Sequence, residues 1–177
     1  MTEIDLRSNQ GFGGIRTEDQ LISIEIYRLL TIFAGSPKIA ALQESAEGGC
    51  VYSWSVRSFE YPEIGRILVT LAAILRNGWD SNPKRIRSEM PTWDSLESVG
   101  LLIPNLKRPS ESEPLSFRES LRKILHASAM NLDRSEGPSI YDGHLNPRVH
   151  LYGEKQAYNW KATLEIYDWA KMVHTLS

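Results

Sequence analysis

Between Pro62 and Gly78 the apolar residues Ile64, Ile67, Leu68, Leu71, Ile74 and Leu75 recur every three or four positions. That spacing places them on one stripe of an α-helix and commits the chain to a helix with a single buried face. Pro62 suits the first helical position, and Asn77-Gly78 is a stop signal. A second helix begins at Thr17, where Thr17 and Gln20 have capping-box spacing. Ile22, Ile26, Leu29, Leu30 and Phe33 repeat behind it. Leu21, Ile24 and Ile32 add a second apolar side, so this helix reads as central and buried on most faces. Gly35-Ser36-Pro37 reads as its end.

The remaining elements are shorter. Residues 1–16 read as a flexible N-terminal segment, and "GFGG" at 11–14 as a hinge. It lacks the Lys-Ser/Thr that a phosphate loop requires. A short helix is expected at 38–46. "CVYSWSVRSF" at 50–59 is rich in β-branched and aromatic residues and reads as a strand; as a helical extension it would leave the protein nearly all-α. The stretch 79–114 holds Pro83, Pro91, Pro104, Pro109 and Pro114 and reads as irregular, with room for one helix at 92–102 and an exposed loop at 107–114. Ser116 and Glu119 form a second capping box, opening a helix to about residue 130. A polar loop follows. "RVHLYG" and "YNWKATL" alternate around a short turn, which predicts a β-hairpin. "EIYDWAKMVHTL" closes the chain as a helix, with Ile166, Trp169, Ala170 and Val173 on one face. The expected fold is α+β but mainly α. It is a helical core with a small C-terminal β-hairpin, in one globular domain over 17–177.

Composition bounds the class. With 41% apolar and 24% charged residues in 177, the chain can bury a core without metal or disulfide staples. A net charge of −2 implies no broad basic face and argues against strong non-specific nucleic-acid binding. The lone Cys50 forms no internal disulfide and fits a reducing compartment. The acidic, polar start is no signal peptide, and "ILVTLAAIL" at 67–75 is too short to span a bilayer. The expected location is cytoplasmic, without membrane contact.

In "FRESLRKILHAS", at 117–128, Arg118, Arg122 and His126 lie four residues apart. At 100° per residue, Phe117, Leu121, Ile124 and Ser128 take the core side. The Arg118–Arg122–His126 column drifts away from it, so it faces water or a second surface. A helix with arginine followed by histidine, near the end of a small helical domain, resembles the HEPN group. That group includes metal-independent ribonucleases of toxin and phage-defence systems and also non-catalytic members. The usual motif has four to six residues between arginine and histidine. Here Arg122 and His126 are separated by three and Arg118 and His126 by seven. The resemblance implies a catalytic set of Arg118, Arg122 and His126. Histidine suits proton transfer near neutral pH, and arginine suits charge developing on phosphate. One helix supplies one histidine, so a two-fold dimer would be needed to supply two. The competing reading is a solvated helix face, with Glu119 and Lys123 paired at i,i+4 and basic residues at the negative end of the helix dipole.

Other candidates are weaker. Asp142, His144 and His150 have the residue types for zinc or iron, but no metal-motif spacing, so no metal and no cofactor is expected. His144 and Arg148 are candidate substrate-binding residues. His150 alternates with Arg148 and Tyr152 along one strand. His174 suits helix capping. No serine sits in a nucleophile elbow, and the five tryptophans are scattered without interleaved basic residues.

Two function classes follow. One is a small bacterial or phage protein with a non-catalytic binding role in a toxin–antitoxin or phage-defence or anti-defence system, whose partner is another protein or a second copy in a homodimer. The other is a HEPN-like metal-independent ribonuclease, with RNA as its partner. The off-pattern spacing and near-zero net charge weigh toward the first.

Overall fold

The computed structural model describes residues 18–45, 56–81, 98–135 and 143–176. Helix α1 spans Glu18–Ser45. A single π-helical turn, Val56–Glu60, leads into α2, Tyr61–Ser81. Strands β1 (Gly100–Ile103) and β2 (Glu113–Pro114) precede α3, Phe117–His126. Then come β3 (Ala129–Arg134), β4 (Leu145–Lys155), β5 (Tyr158–Glu165) and α4 (Ile166–Leu176).

The five strands form one antiparallel sheet in the order β2-β1-β5-β4-β3. The expected architecture is therefore overturned. The C-terminal hairpin exists, but it is the middle of a five-stranded sheet. Val149, Leu151, Trp160, Ala162, Leu164 and Leu102 point to one side of that sheet and join the cores of α1, α2, α3 and α4 in one cluster. Alternation puts Arg148, His150, Tyr152, Lys161, Thr163 and Leu101 on the other side. Helices on one face and polar groups on the other make the two-layer arrangement that an antiparallel sheet permits.

The edges are blunted. β2 is two residues long and contains Pro114, which has no N–H to offer. On the β3 edge, the Tyr61 hydroxyl donates to the Met130 carbonyl.

Helix α2 buries Ile64, Ile67, Leu68 and Leu71 as its stripe requires, while Ile74 and Leu75 are half-buried against the same core. Helix α4 buries Ile166, Trp169, Ala170 and Val173. Helix α1 buries Ile22, Ile26, Leu29 and Phe33 but leaves Tyr27 70% exposed, so it is one-sided rather than enclosed. It also runs through Pro37 instead of ending there, absorbing the separate helix expected at 38–46. Ser36 and Ala40 are buried, and the Ser36 hydroxyl accepts from the Leu145 N–H at 2.9 Å; these tertiary contacts offset the lost backbone bond. The buried Glu25 takes both Arg66 and Arg28, tying α1 to α2.

Three further expectations fail, the last two where strand pairing overrides local preference. Residues 56–59 are helical, not strand; 50–55 lie outside the described residues. Residues 100–103 are strand rather than the end of a helix, and 113–114 pair with β1; 92–97 lie outside the described residues. Helix α3 stops at His126. Ala127 is extended (φ −68°, ψ 132°), and residues 129–134 pair with β4.

Candidate functional site

Helix α3 starts as its capping box requires, with the Glu119 N–H donating to the Ser116 hydroxyl at 3.3 Å. Phe117, Ser120, Leu121 and Ile124 are buried. The Ser120 hydroxyl donates to the Phe117 carbonyl at 2.5 Å and accepts from the Trp169 indole N–H at 2.9 Å, fixing α3 against α4. On the outward side Arg118, Arg122 and His126 are all exposed. The column anticipated from the sequence is present as a surface feature. Arg122 donates to Glu119 at 3.0 Å. Among the described residues, no group hydrogen-bonds the His126 ring.

Lys123 is placed differently from the sequence expectation. It pairs with Glu119 at 3.5 Å, but its side chain is only 8% exposed, and its Nζ lies 4.2 Å from the centre of the Trp160 ring. Burial pulls its pKa below the ordinary lysine value, and Lys155 and Arg122 add repulsion while Glu119 opposes. So Arg122, Lys123 and Lys155 lie together beside the Glu119 carboxylate.

His144 and Arg148 do not join this group. A Cβ on Gly153 would lie 3.0 Å from the His126 carbonyl oxygen, and from Gly153 back to His144 is nine residues of β4 and its approach, roughly 30 Å of extended chain. There Ser135 and His144 fasten the β3–β4 connection. The Ser135 N–H donates to the His144 carbonyl at 2.9 Å, and the Ser135 hydroxyl accepts from the His144 N–H at 2.9 Å and lies 3.1 Å from Nδ1. Gly143 is in a left-handed conformation, φ +78°; a Cβ there would lie 2.5 Å from the Ser135 carbonyl oxygen. Next to it Arg134 bridges the Gly143 carbonyl (3.3 Å) and the Glu60 carboxylate. Glu60 is buried; its Oε1 has no hydrogen-bond partner among the described residues, and burial raises its pKa against the pull of Arg134.

Arg148 lies on the outer face of the sheet, donating to Glu165 at 2.8 Å. Beside it His150 Nδ1 is 3.1 Å from the Thr163 hydroxyl, and Lys161 Nζ is 5.8 Å from the centre of the Tyr152 ring. Burial lowers the His150 pKa, Lys161 and Arg148 lower it further, and Asp133 and Glu165 oppose. Sequence reasoning singled out Arg148, His150 and Tyr152 on one strand but not their partners on β5. The "KAT" alternation at 161–163 is the signal that could have found them.

Asp142 and Cys50 lie outside the described residues. Among the described residues, no three His, Cys, Asp or Glu side chains come together as a metal site. No described helix is long and apolar enough to cross a membrane. Comparison with protein-family models, curated proteins and solved structures finds no match.

Proposed function

We propose that this chain is a non-catalytic binding protein of a bacterial or phage toxin–antitoxin or phage-defence system, working through its surface on a protein partner. The system assignment rests on the HEPN resemblance of 117–128. The binding role rests on how the polar groups are used. Arg122 is tied to Glu119, Arg148 to Glu165 and His144 to Ser135, so the candidate groups are divided among separate surfaces instead of converging on a reacting atom. The single observation that carries it is the outer sheet face. Arg148, His150 and Tyr152 on β4 stand opposite Glu165, Thr163 and Lys161 on β5, on the side of the sheet away from the core cluster. Tyrosine and arginine are residue types that protein interfaces favour. The test is cross-linking capture from cells with wild type, Tyr152→Ala and His126→Ala. The reading expects a defined partner that Tyr152→Ala loses and His126→Ala keeps; loss only in His126→Ala would contradict it.

A second reading is a HEPN-like metal-independent ribonuclease. Arg118, Arg122 and His126 would act on RNA, with His144 and Arg148 as outlying contacts. What speaks for it is that Arg118, Arg122 and His126 are all exposed on the outward side of α3. RNA cleavage in chelator, lost in His126→Ala, is its signature.

A further inference from the structure

We propose that α3 and the turn end of the β4–β5 hairpin together form a binding site for a phosphoryl group, with Lys123, Lys155 and Arg122 as its cations and a small phosphate monoester as its ligand. The site is separate from the outer sheet face and stands or falls apart from it.

The register sets the place. Lys155 lies two residues beyond Gly153 on β4, on the same side of the strand, and opposite Tyr158 on β5. Gly153 leaves the slot that the Trp160 ring fills, and Lys123 Nζ stands 4.2 Å from the centre of that ring. Lys155 therefore follows the ring by one row, close enough to repel the charge of Lys123. Glu154 falls on the other side of β4 by alternation. Glu119 divides its two oxygens between Lys123 at 3.5 Å and Arg122 at 3.0 Å. Among the described residues, Lys155 forms no salt bridge. Three cations thus share one carboxylate.

Other cations of the fold are matched. Arg28 and Arg66 meet Glu25 and Glu63, and Arg108, Arg134 and Arg148 each have a carboxylate of their own. At α3 the excess of positive charge is held against a buried ring, with the Lys123 side chain only 8% exposed. Attraction to an anion is stronger in such a place than in open water, and a bound dianion would offset the repulsion that Lys123 bears. A phosphate monoester brings nearly two negative charges and three strong acceptor oxygens. Arg122 reaches Glu119 through Nη1, leaving Nη2 and Nε for those oxygens. Lys155 is exposed and can turn onto the ligand. Tyr158, half-exposed opposite Lys155, offers a ring face to the rest of the ester. A nucleic-acid backbone calls for a longer track of cations than these three.

The test is a titration of isotope-labelled protein with inorganic phosphate, with chloride holding the ionic strength constant, read by amide chemical shifts. Saturable shifts centred on Glu119–Lys123 and Gly153–Tyr158 are expected, with a Kd of about 1 mM, the scale of a few charge-assisted bonds. Lys155→Gln, at an exposed position, should weaken binding by about fivefold or more. Glu119→Gln removes the competing carboxylate and should tighten binding, a change that a merely structural Glu119 would not produce. Phenyl phosphate should bind more tightly than inorganic phosphate and lose that advantage in Tyr158→Ala. Shifts that do not saturate, or a Kd that Lys155→Gln leaves unchanged, overturn the proposal. Equal affinity for the two probes overturns the monoester as its ligand.

Discussion

Gly153 on β4 faces Trp160 on β5, and the indole occupies the space a side chain at 153 would need: a Cβ there would lie 2.2 Å from the ring. Lys123 of α3 stands over the same ring, 4.2 Å from its centre. One buried ring therefore joins the turn end of the hairpin to the helix that carries the Arg118–Arg122–His126 column. Gly153→Ala forces the ring out of its slot. It should destabilise the fold by about 1–3 kcal/mol, the usual cost of overpacking, measured by urea unfolding. A loss below about 0.5 kcal/mol, the scale of an ordinary surface substitution, would show that the ring has room to shift.

Lys123 contributes attraction to Trp160 and Glu119 but loses hydration, and its depressed pKa says that burial outweighs the attractions. The sign follows. The neutral amine is favoured in the fold, so this group's stabilising contribution is present above the unfolded-state value of 10.5 and is lost as pH falls through the folded value. At neutral pH the charge is a cost. Lys123→Met keeps the length and drops the charge, so its stability should fall within about 1 kcal/mol of wild type. A loss above about 3 kcal/mol would mean that the cation–π and ion-pair contacts dominate.

Glu60 makes the same argument from an acid. Its raised pKa means that the protonated form is favoured in the fold. That contribution is fully present below 4.5 and is lost as pH rises through the folded value. Glutamine does not titrate. The stability of Glu60→Gln relative to wild type should therefore improve steadily from pH 4 to pH 7, read by urea unfolding at several pH values. A difference that is flat, or that worsens with pH, would show Arg134 prevailing over burial.

The turn between β4 and β5 holds Gln156 at φ 58°, a conformation that glycine adopts freely and other residues at a cost. Gln156→Gly should raise the melting temperature by roughly 1–4 °C, the shift expected of a few tenths to one kcal/mol in a chain of this size. Calorimetry showing a lower melting temperature would place the greater weight on glycine's entropy in the unfolded chain.

The helices were legible where periodicity is strong. The stripe of α2 and the Ile166–Val173 face of α4 each dictated which residues are buried, and the "RVHLYG"/"YNWKATL" alternation predicted the β4–β5 hairpin. The rest of the sheet was not legible. Ala129-Met130-Asn131-Leu132 has no β-branched residue and continues a helical pattern; it becomes a strand because β4 offers an edge. β1 is four residues long and is fixed by β5 and by Gly100, where a Cβ would lie 1.8 Å from the Thr163 carbonyl oxygen. Nor did Gly35-Ser36-Pro37 reveal that Ser36 would be held by β4.

The site followed the same division. The outward column of α3 could be read from helical spacing. The burial of Lys123 could not, because the ring that covers it lies on β5 and the slot for that ring is made by Gly153 on β4. The Glu60–Arg134 pair joins the π-helical turn before α2 to β3, a contact that no local pattern encodes.

The most direct test of the binding account is incubation of the purified protein with total RNA in the presence of chelator, wild type beside His126→Ala. The account predicts intact RNA with both proteins. Cleavage by the wild type that disappears in His126→Ala would contradict it and place the chemistry on the Arg118–Arg122–His126 column.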